Sequence, residues 1–162
     1  MKLDKAVKEA KKLDEVDEIL SSGGFLCSAY ILMEKDKELD EWNLAFYSKD
    51  KDEITAVKVK DSKAELGVTD SPLREDTGKI DVDKVKIGAK DALEKIKSTL
   101  EEEFSVSYEK ILFTLKKDER QEWRAVFVGK SLSIVSIAVD TETGEVVEKE
   151  RKSLGAGKSF GG

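Results

Sequence analysis

Glu122-Trp123-Arg124-Ala125-Val126-Phe127 repeats the pattern of Glu41-Trp42-Asn43-Leu44-Ala45-Phe46. Each begins Glu-Trp, carries an aromatic four residues after the Trp, and runs through a polar turn into a β-branched segment. From Trp42 to Trp123 is 81 positions, half of the 162-residue chain. Period-2 alternation puts Trp42, Leu44 and Phe46 on one face of a strand, and Trp123, Ala125 and Phe127 on the matching face of another. Large aromatics so placed are what a small core needs beneath a helix, so both tryptophans are read as core rather than as a stacking platform.

Working outward, each stretch sits in the same order of elements. Leu3, Val7, Ala10, Leu13, Val16 and Leu20 recur at three and four, which predicts a helix over residues 2–20 ended by Ser21-Ser22-Gly23-Gly24. Strands are expected at Phe25–Met33, Trp42–Tyr47 and Ile54–Lys60. After residues 61–81, which hold Pro72 and the turn Asp76-Thr77-Gly78, the plan restarts. Asp81 or Asp83 is expected to cap a helix reaching about Phe104, followed by strands at Tyr108–Leu115, Trp123–Val128 and Leu132–Val139. Asp140-Thr141-Glu142-Thr143-Gly144 reads as a turn into a fourth strand at Glu145–Lys149. The expected organisation is a first unit at 1–61, a linker at 62–80, a second unit at 81–150 and a flexible tail at 151–162. The expected fold class is α+β: two repeats of one helix packed on a three- to four-stranded antiparallel sheet.

Composition narrows the function classes. Charged residues make up 40% and hydrophobic ones 39%, the charges are interleaved, and the net charge is −6. That balance argues for a solvated surface and against a nucleic-acid footprint. There is no histidine, which removes the usual general base and the commonest metal ligand. The lone Cys27 permits no intrachain disulfide and is read as a small buried hydrophobe. No apolar run is long enough to span a membrane and no signal peptide is visible, so a cytoplasmic location is expected, or an extracytoplasmic one if a leader has been removed.

The motifs that hint at chemistry fail on spacing. Asp50-Lys51-Asp52-Glu53 begins like a calcium loop, but Thr55 stands at the sixth place, where glycine is required. Gly155-Ala156-Gly157-Lys158-Ser159 ends like a phosphate loop, but Lys152 stands where the first glycine should be. No catalytic residue, metal or cofactor is expected, and the chain is read as a non-enzyme.

The second unit, with its helix Val82–Leu100, strand Trp123–Val128 and the run from Ile137 through Asp140-Thr141-Glu142-Thr143-Gly144-Glu145-Val146-Val147, resembles a PepSY domain, the module of peptidase propeptides. The first unit is similar in helix and strands but lacks the final hairpin at the same place. The resemblance implies a PepSY- or cystatin-like fold. It also implies a role in binding, either as a peptidase inhibitor or as a regulatory module near the cell envelope.

The faces opposite the tryptophans are the remaining signal. Alternation places Met33, Ala45 and Tyr47 there in the first unit, and Val126, Val128 and Ile134 in the second. A sheet face in water normally turns polar, and these do not. They are therefore the candidate interaction face, to be covered by a protein partner or by self-association. The expected function is a non-catalytic binding or regulatory module. The alternatives are a structural subunit of a homo-oligomer and, behind it, an enzyme working through carboxylates and lysine.

Overall fold

A computed structural model describes residues 2–36, 40–70, 78–130 and 133–153. The elements in chain order are α1 (Leu3–Ala10), α2 (Asp14–Ser21), β1 (Phe25–Glu34), β2 (Glu41–Ser48), β3 (Glu53–Lys60), β4 (Lys63–Asp70), α3 (Ala89–Glu103), β5 (Lys110–Lys117), β6 (Gln121–Val128), β7 (Ser133–Asp140) and β8 (Val146–Ser153). All eight strands form one antiparallel sheet in the order β4-β3-β2-β1-β5-β6-β7-β8. This overturns the expected α+β pair of helix-on-sheet units. The protein is mainly β, and its two meanders are fused edge to edge.

The fusion follows from what each meander would expose alone. β1 and β5 are first strands, and each would leave a row of unpaired backbone groups on an apolar edge. Pairing them in register from Ala29↔Leu115 to Glu34↔Lys110 satisfies both edges at once. Trp42 and Trp123 come to lie 6.1 Å apart across this seam, and Trp123 stacks on Phe113 at 4.9 Å. All three helices cover the same sheet face. Val16, Ile96 and Leu100 are buried there in one cluster with Trp42, Phe46, Phe113, Trp123 and Phe127.

Several local expectations are corrected. The single helix over 2–20 is two, because Lys12 and Leu13 turn tightly onto the carbonyls of Glu9 and Ala10 before Asp14 starts afresh. Asp81 caps only one 3-10 turn, Val82–Lys84. The next residues are held to the sheet instead: the amides of Lys86 and Ile87 both donate to the Thr141 carbonyl, and Trp123 Nε1 donates to the Ile87 carbonyl. The long helix therefore waits until Ala89. Residues 63–70, expected within a linker, are β4, because Asp61 and Ser62 both take positive φ and close a two-residue hairpin with β3. Arg151–Ser153, expected in a flexible tail, finish β8. Pro72, the Asp76-Thr77 part of the expected turn and residues 154–162 lie outside the described residues.

One bulge decides which face β1 presents. Leu26 pairs with Phe46 but Ser28 pairs with Ala45, so Cys27 is an extra residue in the ladder. Its thiol donates to the Ala45 carbonyl at 3.4 Å. Beyond that point the alternation is reversed, and Ala29, Ile31 and Met33 turn into the core while Tyr30 and Leu32 turn out.

Candidate interaction surface

With every described helix on one side, the other face of the sheet is uncovered among the described residues. The register places two apolar groups on it. Leu32, Leu112 and Val126 stand in one cross-strand row, with Val128 and Ile134 in the next. Diagonally opposite, Phe25, Tyr47 and Ile54 form a row beside Ala45 and Ala56. Between them runs a polar row, Asn43–Tyr30–Thr114–Arg124. Leu32 is 62% exposed, and Tyr30 and Val128 are also open to solvent.

Five of the six residues expected on this face are there: Ala45, Tyr47, Val126, Val128 and Ile134. They fall into the two groups rather than one. Met33 is the exception, buried at 5% exposure on the helix side because of the Cys27 bulge. Leu32 and Tyr30, missed by simple alternation, take its place. The only signal for them was Cys27-Ser28, a small polar interruption that gives no direct sign of a bulge.

The same face carries one fixed charge cluster. Arg124 Nη1 donates to Ser136 Oγ and to Glu148 Oε1, both at 2.7 Å, and Nη2 donates to Glu122 Oε1 at 2.8 Å. Ala138 lies in register between Arg124 and Glu148 and is fully buried beneath them. Burial works against the charge on Arg124, but its bonds to Glu148 and Glu122 outweigh it and raise its pKa. The hydrogen bond from Arg124, and then its charge, hold the Glu148 carboxyl below its ordinary value. The bond to Asp52 at 2.7 Å raises the Tyr47 phenol. Each shift deepens the ionisation state the group already has at neutral pH, so this surface offers fixed charges and apolar contact. Among the described residues no group of three or more acidic or cysteine side chains is arranged to hold a metal ion, and no helix is long and apolar enough to cross a membrane.

Fold and surface together define a mainly β protein built on one eight-stranded antiparallel sheet, with helices on one face and, on the other, a partly apolar face that no other described residues cover. No family model and no curated protein matches the chain. Among solved structures it is similar to the crystal structure of a putative lipoprotein from Clostridium difficile 630, at 15% identity and a TM-score of 0.54. The match covers 85% of this chain and 89% of that one. At such identity the likeness shows the fold alone. The PepSY resemblance gains no support from these comparisons, and the separate small units it implied are replaced by the continuous sheet.

Proposed function

We propose that the protein is a non-catalytic binding module that docks a partner protein on the open face of its sheet. The observation that carries this reading is the exposure of Leu32, Tyr30 and Val128 on a face that no described helix covers. Covering several hundred Å² of such surface is worth several kcal/mol at roughly 25 cal/mol per Å², before ordering costs. The fixed cluster around Arg124 supplies charge that is already organised, which serves orientation and specificity more than affinity.

The reading is tested by placing a photo-crosslinking amino acid at Leu32 or, as a control, at the exposed Glu94 of α3 in the source cells. Leu32 is expected to give an adduct of discrete mass that Val126→Asp abolishes, while Glu94 gives none. An adduct at twice the chain mass assigns the face to self-association. Equal yields from both positions, or no adduct at Leu32, overturn the proposal.

A further inference from the structure

The two edges of the sheet are guarded differently. β8 carries five consecutive charged residues, Glu148 to Lys152, together with a bulge opposite Ala138 and Val139. Charges and bulges are the devices by which edge strands avoid pairing with other chains. β4 also carries a bulge, at Gly67 and Val68 opposite Ala56, but its charges are sparser: Lys63 and Asp70 stand at its ends, with Glu65 alone between them. Val68, at 72% exposure, stands on this edge, and Leu66 is exposed beside it. β4 therefore ends the sheet with a side that no strand of the described chain occupies.

A second feature lies against the same edge. Leu66 and Thr69 form one wall of a pocket of about 160 Å³. Glu15 and Glu18 of α2, with Asp50 and Glu53 of the β2–β3 turn, line the rest of it with four carboxylates against the single cation Lys51. None of the four makes an ion pair among the described residues. Ser48 also lines the pocket at 6% exposure. Its Oγ accepts a long bond from the Lys51 amide at 3.4 Å and donates to no described residue. Glu15, Glu18 and Asp50 are solvent-exposed and Glu53 is half-buried, so they form an acidic rim that suits a ligand group bringing a positive charge, with the Ser48 hydroxyl as a donor beside it.

We propose that β4 takes an extended segment of a partner protein as a ninth strand, and that a lysine or arginine of that segment enters this acidic pocket. Main-chain hydrogen bonds to the open edge supply the general affinity, and the pocket supplies the choice of side chain. The bulge at Gly67 limits regular pairing to a short stretch, so one basic residue set among β-formers is the recognised pattern. This site is separate from the open face, and either can hold without the other.

The test is an amide chemical-shift titration of the full chain with two heptapeptides, Thr-Val-Thr-Lys-Thr-Val-Thr and the same peptide with Glu at its centre. The lysine peptide is expected to move the amides of Ala64–Thr69 and of Ser48–Glu53, and to bind roughly threefold to tenfold more tightly than its glutamate twin. The double variant Glu18→Gln/Glu53→Gln is expected to erase that preference while leaving the β4 shifts in place. Val68→Lys, a change at an exposed position, is expected to weaken both peptides. Equal affinity for the two peptides overturns the pocket's role. Shifts confined to the open face around Leu32 and Val126, or none up to about 5 mM peptide, overturn the strand addition.

Discussion

At the scale of single residues, Arg124 shows how position in the sheet creates chemistry that spacing along the chain does not announce. Its partners Glu122, Ser136 and Glu148 come from three strands, and only the register of β6, β7 and β8 brings them together. The cluster has a predictable pH signature. The Glu148 carboxyl is held below its ordinary value of 4.5 by the bond to Arg124, so the folded state favours its charged form. That contribution is complete above about pH 4.5 and is lost as the pH falls through the lowered folded value. Glu148 is half exposed, so solvent screening keeps the contribution below roughly 1 kcal/mol. Urea denaturation is expected to find Glu148→Gln less stable than the parent at pH 7, with the gap narrowing as the pH falls below 4.5 and in high salt. A gap that does not narrow as the pH is lowered means that the side chain acts through packing and not through charge. Nothing in the sequence singled out Arg124. The apolar positions were legible because burial imposes a period, whereas a hydrogen-bonded charge cluster imposes none.

Among the elements, the strands with an unbroken alternation were read correctly, and the losses came where one residue changed the phase or the direction. β2, β6 and β7 kept their expected faces. β1 did not, because Cys27 adds one residue to the ladder and every side chain after it changes sides. β4 falls inside the expected linker because Asp61-Ser62 is a weak signal for a tight hairpin, yet both residues adopt left-handed backbone, at φ of 52° and 63°. A serine in that region carries strain of about 1 kcal/mol that glycine does not. Ser62→Gly is therefore expected to raise stability by roughly 0.5–1 kcal/mol, the gain from strain relief being partly offset by the freer unfolded chain. A urea midpoint that falls, with an unchanged slope, would show that the turn is not strained and that Ser62 contributes through its side chain.

At the scale of the whole molecule the question is whether two meanders make one folding unit or two. The sequence showed their likeness but not their joining, because an edge that will be paired and an edge that will be left open are written with the same apolar residues. The structure places Ala29, Ile31, Phe113 and Leu115 in one buried cluster across β1 and β5, with Trp42 and Trp123 in contact over them. Neither half can keep its own core intact if that seam opens, since each would expose an unpaired apolar edge. A single cooperative transition is expected, with far-ultraviolet ellipticity and tryptophan fluorescence melting together and calorimetric and van't Hoff enthalpies equal. Leu115 is fully buried at the seam, so Leu115→Ala is expected to cost roughly 2–5 kcal/mol. In a chain of this size that lowers the one melting temperature by about 5–15 °C. The discriminating measurement is hydrogen exchange on this variant. If the seam couples the halves, the amides of β2 and β3 lose protection to the same degree as those of β6 and β7, although Leu115 belongs to the second half. If only β5 to β8 lose protection while β2 and β3 keep theirs, the meanders fold independently and the continuous sheet is a docking of two domains.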